Sequence, residues 1–326
     1  LTADQQTKYA AVLSTVESWT TIPSSTLKDA TNEPITDNER MWLTRQCLLR
    51  YLRATKWDTT SALKRLQATL SWRREYGADT FTADYISPEN ETGKQVIMGY
   101  DINARPCLYL NPGKQNTKSS DRQIHHLSFM LDRVIDMMGP GQETTALLIN
   151  FKGASSGSTP SVSQARQVLN ILQNHNPERL GRALISQRNY MLDGTNPRIN
   201  ANLLTVPWYV STFFKLISPF IDPVTKEKMK FNEDLKKYIP SQQLWKDYGG
   251  ELNFDYDHQV YWPALIQECD RRREAYKQRW VDAGKQIGEN EDYLRGGEQT
   301  SIRDATKSNE GVQIGDETVH MASLKV

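Results

Sequence analysis

The sequence predicts an α/β lobe preceded by a helical unit, and three observations carry that expectation. Apolar residues recur at helical spacing through much of the first ninety or so positions. Beyond them, short β-rich runs alternate with amphipathic helical stretches, the pattern of a layered fold with at least partly parallel strands. The run Thr144 to Phe151 (TTALLINF) is apolar with little alternation, as suits a strand buried on both faces.

Each element follows from local pattern. Residues 37–55 (DNERMWLTRQCLLRYLRAT) read as one amphipathic helix striped by Trp42, Leu43, Leu48, Leu49 and Leu52. Asp58 is expected to cap a second helix running to Glu75, with Ala62, Leu66, Leu70 and Trp72 on its apolar side and Gly77 ending it. Gln95 to Tyr100 and Cys107 to Leu110 read as strands separated by the turn DINARP. Ser119 to Met138 is a helix striped by Ile124, Leu127, Leu131, Val134, Ile135 and Met138 and closed by Gly139, and Ser161 to Gln173 is another. Leu203 to Ile221 is the most apolar stretch, with Lys215 its only charge. Pro207 and Pro219 interrupt it, so a helix that packs in the core or covers a pocket is expected rather than a membrane span. Tyr261 to Ala283 is a polar amphipathic helix whose Arg271, Arg272 and Arg273 read as a solvated face. After Gly284 the chain turns polar and Gly-rich, and a flexible tail is expected. The expected division is therefore 1–93 helical unit, 94–255 α/β lobe, 256–283 C-terminal helix and 284–326 tail.

Composition narrows the function. Across 326 residues, 40 Lys and Arg face 39 Asp and Glu, a net charge of +1, which argues against a general nucleic-acid binder. Phosphate recognition must then rest on a few placed residues. Cys47, Cys107 and Cys269 are odd in number and far apart, so neither a disulfide framework nor a zinc spacing is present, and a reducing compartment is expected. His125, His126, His175, His258 and His320 show no ligand spacing, and no metal or cofactor is expected. The opening LTADQQTKYAAVL lacks a basic segment followed by an apolar one, so no signal peptide is expected there. Its first residue is not Met, which suggests a short missing piece upstream.

One catalytic pattern needs weighing. Gly153-Ala154-Ser155-Ser156-Gly157 fits G-x-S-x-G between an expected strand and helix, the context of a serine-hydrolase nucleophile, with His258 as a candidate base. No HGGG-type segment accompanies it, and a Gly/Ser strand-to-helix connection is the plainer reading. A hydrolase using Ser155 is kept as the alternative; otherwise no enzyme is expected.

A wider pattern spans roughly residues 40–280. LLRYLRATKWD and LSWRREYG are followed in order by ARPCLYL, ETTALLINFKG, NPERLGRAL and STFFKLISPFIDPVTKEK. In content and order these segments resemble the CRAL-TRIO family, and within it the fungal phosphatidylinositol transfer proteins that bind phosphatidylinositol and sterol. The resemblance implies a soluble carrier that encloses one phosphatidylinositol in an apolar pocket gated by a mobile helix and exchanges it between membranes. It also implies a cytoplasmic protein that visits a membrane surface transiently, with the endoplasmic reticulum or lipid droplets as candidate sites. Phospholipid is its implied partner, a phosphoinositide kinase is a candidate partner, and nucleic acid is not one.

The resemblance also nominates residues. Lys56 matches a headgroup lysine, Glu178 an acidic member of the headgroup network, and Thr225 and Lys228 a hydroxyl and a lysine near the phosphate. Two ammonium groups and a hydroxyl suit a phosphodiester, and a carboxylate can orient a lysine or accept from inositol hydroxyls. Thr55 departs from the pattern, standing where the best-known yeast member has Arg. Ile97, Leu108, Thr145 and Leu147 stand where that member uses two tyrosines and two hydroxyl residues to hold phosphatidylcholine. Three of these four are purely apolar, and a phosphocholine headgroup buried without partners costs a few kcal/mol, of order 2 or more. Phosphatidylcholine is therefore expected to be a poor ligand, and sterol is the candidate second ligand. Trp208, Phe213, Phe214, Leu216 and Ile217 are expected to line the gate over the pocket. Two acyl chains carry roughly thirty methylenes at about 0.8 kcal/mol each, so a lipid in transit must stay covered. Ser186 to Asn202 (SQRNYMLDGTNPRINAN) has no counterpart in the family pattern. It is too polar and interrupted to extend a buried strand, so it either loops out or reflects a retained intron in the gene.

Overall fold

The structure is a computed structural model that describes residues 1–154, 162–186 and 223–305. The chain divides into two units. One comprises residues 1–71, 139–141 and 272 onward; the other comprises 72–138 and 142–271.

The first unit is helical. It opens with α1 (Ala3–Glu17), started by a capping box between Thr2 and Gln5. A short antiparallel ribbon of β1 (Thr21–Pro23) and β2 (Asn32–Pro34) follows. Then come α2 (Asp37–Trp42), α3 (Arg45–Ala54) and α4 (Thr59–Tyr76). The single helix expected over 37–55 is thus two helices. Leu43 leaves helical geometry, and the Thr44 hydroxyl caps α3 by accepting from the Cys47 amide at 3.1 Å. The apolar stripe runs through this break, which is why periodicity joined the two. Asp58 caps α4 as expected, its carboxylate accepting from the Ser61 amide at 2.7 Å. Hydrogen bonds with Ser61 hold its pKa below the usual range. Val12, Val16, Leu48, Leu52, Leu66 and Leu70 form the core of this unit.

The second unit carries α5 (Ala83–Asn90), β3 (Gln95–Tyr100), β4 (Pro106–Leu110), α6 (Asp121–Asp136), β5 (Thr145–Asn150) and α7 (Val162–Asn170). A π turn at Ile171–His175 leads to β6 (Leu180–Ser186), α8 (Pro223–Glu227), β7 (Met229–Phe231) and α9 (His258–Asp282). The strands form one sheet in the order β3-β4-β5-β6-β7. Only β3 and β4 are antiparallel; the other neighbours are parallel, giving the α/β class the sequence predicts. One face packs Val96, Tyr109, Ala146, Leu148 and Leu184 against Leu235, Leu244, Trp245 and Tyr248. The other packs Ile97 and Leu108 against Phe129, Met130 and Val134 of α6 and Trp262, Leu265 and Cys269 of α9.

The expected tail needs correction for residues 285–305. Ile287, Glu289, Leu294 and Ser301 are buried, and α10 (Glu291–Leu294) packs within the helical unit. Glu291 accepts from Arg50 at 2.9 Å and from Thr44 at 2.7 Å, and Gln46 donates to Asn290 at 2.7 Å. The segment is polar and yet buried because side chains such as Glu291 and Asn290 bond to α3 and its cap, whereas composition alone reads such a segment as solvated. No helix among the described residues is long and apolar enough to cross a membrane.

Candidate functional site

Strand register gathers side chains from all five strands onto one face of the sheet. Ile97 pairs with Leu108, Leu108 with Leu147, Leu147 with Ala183, and Ala183 with Met229. A parallel row two residues along runs Gln95, Leu110, Ile149, Ile185 and Phe231. Cross-strand partners share a face, so ten side chains form one surface, and Gln95 alone is polar. Cover over this surface is uneven. On β5, the middle strand, Ala146 and Leu148 are fully buried on the opposite face, while Leu147 and Ile149 are only half-buried, as is Leu110 beside them. Leu110 and Leu147 pack at the margin of the cluster formed with α6 and α9, and together with Ile149 they keep part of their apolar surface uncovered.

Of the four positions nominated for this wall, Ile97, Leu108 and Leu147 stand side by side in one row. Thr145 lies one step along the same face of β5. Its hydroxyl donates to the Pro106 carbonyl at 2.8 Å, so its proton is committed to the neighbouring strand.

Gln95 heads the second row. Its amide nitrogen lies 3.3 Å from His126 Nδ1, and both residues are buried, His126 completely. Burial pushes the His126 pKa well below its ordinary value, and the nearby Lys94 charge adds to this, so the ring is neutral. Among the described residues Gln95 Oε1 and His126 Nε2 have no hydrogen-bond partner. In sequence His126 shows no ligand spacing and Gln95 belongs to no motif. The available signal was a polar residue two positions before Ile97 on the same side of a strand.

The nominated headgroup residues fall as follows. Thr225 and Lys228 are three apart across the end of the single turn α8, and the Lys228 amide donates to the Thr225 carbonyl at 3.2 Å. Lys228 is anchored to the sheet where its carbonyl accepts from the Ala183 amide at 2.9 Å. Both side chains are half-buried. Glu178 lies before β6 with φ +60°, a left-handed backbone unusual for a residue with a Cβ. It precedes Ala183 by five residues, at most about 17 Å of extended chain. Lys56, in the helical unit, is exposed and also left-handed, with φ +53°. Trp208, Phe213, Phe214, Leu216, Ile217 and Ser155 lie outside the described residues. His258, considered as a base for Ser155, bonds elsewhere: its Nε2 lies 2.8 Å from the Ser87 hydroxyl and its Nδ1 2.9 Å from the Tyr256 hydroxyl. Tyr256 donates to the Asn90 carbonyl at 2.7 Å, so it accepts from Nδ1–H, and Nε2 accepts from Ser87. Among the described residues no cluster of three or more His, Cys, Asp or Glu could hold a metal ion.

The CRAL/TRIO domain matches residues 90–194 and 199–250, and the CRAL/TRIO N-terminal domain matches residues 8–68. A CRAL-TRIO domain-containing protein of Schizosaccharomyces pombe is 49% identical over 299 residues, covering 92% of this chain and 28% of that protein. Phosphatidylinositol transfer protein PDR17 of Saccharomyces cerevisiae is 37% identical over 306 residues, covering 88% of this chain and 82% of that protein. The chain belongs to the CRAL-TRIO family. A crystal structure of Sfh5 is similar at a TM-score of 0.50 over 81% of this chain and 96% of that one. At 14% identity this is a likeness of fold alone. The CRAL-TRIO chain described here thus spans less than a third of the fission yeast protein and most of PDR17. The four residues omitted between the two matched CRAL/TRIO segments, 195–198, fall within Ser186 to Asn202.

Proposed function

We propose that the chain binds one phosphatidylinositol with its acyl chains against the ten-residue sheet face and exchanges it between membranes. The observation that carries this reading is the incompletely covered apolar wall around Leu147 and Ile149. Membership of the CRAL-TRIO family and the similarity to a phosphatidylinositol transfer protein support it. In this reading Thr225 and Lys228 hold the phosphodiester, and Glu178 accepts from inositol hydroxyls at the far end of the headgroup. Trp208, Phe213, Phe214, Leu216 and Ile217 belong to the gate over the acyl chains, which keeps them from water in transit.

The wall also sets selectivity. Ile97, Leu108 and Leu147 offer no hydrogen bond, and Thr145 has already spent its donor on Pro106. A phosphocholine group there would be left unpaired, so phosphatidylcholine is a poor ligand and a mostly apolar lipid such as a sterol is the second one. The protein is expected in the cytoplasm, meeting membranes transiently.

Native mass spectrometry after incubation with mixed vesicles tests this reading. One phosphatidylinositol per chain, reduced tenfold or more in Lys228→Ala, is the expected result, since a hydrogen bond to a charged group contributes about 1.5–3 kcal/mol. A chain that emerges empty, or that takes up phosphatidylcholine equally well, overturns the reading.

A further inference from the structure

We propose that the groove between α5 and α9 docks an extended segment of a partner protein that carries basic side chains around apolar ones. The groove has a volume of about 500 Å³ and opens to solvent. Ala83 and Asp84 of α5 form one wall, and Trp262, Pro263, Ile266 and Asp270 of α9 form the other. All of these residues belong to the second unit, and none belongs to the sheet face proposed for lipid.

Spacing on α9 sets the floor. Trp262, Ile266 and Asp270 follow at four-residue steps, so they share one side of the helix over about 12 Å. Trp262 stacks with Phe129 and with His258, at ring separations of 5.8 and 5.7 Å, which holds the floor in place. Val260, one turn before Pro263, is 66% exposed and continues the apolar surface. Charge sets the rim. Asp84 and Asp270 are exposed, and neither carboxylate has a hydrogen bond or an ion pair among the described residues. Cations close to them in the chain or on a facing helix are engaged elsewhere: Arg271 bonds Glu268 at 2.8 Å, and Arg122 bonds Glu89 at 3.2 Å. Pro263 adds a further acceptor. It has no amide proton, so the Gln259 carbonyl four residues back loses its helical donor.

The occupant follows from floor and rim together. No residue lining the groove is cationic, and its two carboxylates repel an anionic membrane or a nucleic acid. Among the described residues no cluster of three or more His, Cys, Asp or Glu stands ready for a metal ion. A lysine or arginine fits instead: its aliphatic stem covers the floor while the charged head reaches a carboxylate. From Val260 to Asp270 the floor runs about 15 Å, longer than one such side chain, so an extended segment of about five residues fills it. This docking site is independent of the lipid reading, and either can fail without the other.

The test titrates the protein with two acetylated and amidated peptides of that length, Lys-Leu-Ala-Leu-Arg and Glu-Leu-Ala-Leu-Glu. Calorimetry gives the affinity. The Trp262 indole N–H, which has no hydrogen-bond partner among the described residues, gives a resonance that reports on the groove. The basic peptide is expected to move that resonance to saturation and the acidic one to leave it still. Asp84→Asn with Asp270→Asn should weaken the basic peptide about fivefold at low salt, the scale of two solvent-exposed ion pairs, and the difference should shrink at high salt. Asp29→Asn, a like change of charge in the β1–β2 loop of the helical unit, should bind as the wild type does. Unchanged unfolding midpoints show that the variants are folded. A resonance that ignores the basic peptide, an equal response to both peptides, or wild-type affinity in the double variant overturns the site. Loss of phosphatidylinositol uptake in the folded double variant overturns it as well, since the groove is placed apart from the lipid face. A wild type that binds the basic peptide and takes up no phosphatidylinositol leaves this site standing and overturns only the lipid reading.

Discussion

Arg50 and Glu291 are 241 positions apart in sequence and 2.9 Å apart in the helical unit, with side chains only 4% and 7% exposed. The same Glu291 oxygen accepts from Thr44, the cap of α3, so one carboxylate ties the C-terminal segment to the start of that helix. Removing one member of a buried pair strands the other charge. Glu291→Ala is expected to destabilise the protein by about 3–5 kcal/mol, measured by denaturant unfolding. Arg271→Ala, which breaks an exposed pair with Glu268, should cost less than about 1 kcal/mol. Equal losses in the two variants would mean that the C-terminal segment contributes nothing to the unit.

His126 gives stability a pH dependence of known sign. Its folded pKa is lowered by burial, so between that value and the unfolded value near 6.5 the unfolded chain binds more protons. The contribution is fully present above about pH 6.5 and is lost as pH falls below it, at up to about 1.4 kcal/mol per pH unit. His125, also lowered by burial, acts in the same direction. The wild type should therefore lose stability relative to His126→Phe as pH falls from 7 towards 5 (roughly the range in which histidine titrates). Parallel curves would show that His126 is not held neutral.

The parts that sequence disclosed and the parts it hid differ in kind. The helix from Asp121 was legible from its helical period, and Thr145–Asn150 from a short continuous apolar run of strand length. The break at Leu43 was not, since a single threonine cap interrupts a stripe that continues on both sides. Residues 285–305 were hidden for a different reason: their burial depends on partners such as Arg50, far away in sequence. At the site, residue identities could be nominated one at a time. The row joining Ile97, Leu108 and Leu147 exists only in the register of three strands, two of them parallel and connected through α6.

Gly99 is fixed by its surroundings. It sits at the irregular step between Ile97 and Tyr100 with φ +71°, and a Cβ there would lie 2.2 Å from the Gln243 carbonyl oxygen. Backbone cannot swing aside as a side-chain tip can. Gly99→Ala is expected to cost about 2–3 kcal/mol and to lower the unfolding midpoint, through both the left-handed strain and the overlap. A wild-type midpoint would show that the bulge relaxes freely.

The apolar row makes a gain-of-function prediction that destabilisation cannot imitate. Leu108 and Leu147 are neighbours across β4 and β5, 3% exposed and half-buried respectively, so polar groups placed there would face a ligand from adjacent strands. Leu108→Tyr with Leu147→Ser supplies two hydroxyls where, on the proposed reading, a phosphocholine group would meet hydrocarbon. If an unmet headgroup is what excludes phosphatidylcholine, restoring about 1.5 kcal/mol of hydrogen bonding should raise its uptake roughly tenfold. Phosphatidylinositol uptake through Lys228 should be little changed, and the ratio of the two lipids by native mass spectrometry is the readout. A double variant that holds phosphatidylinositol and still refuses phosphatidylcholine would place the discrimination elsewhere than in this row.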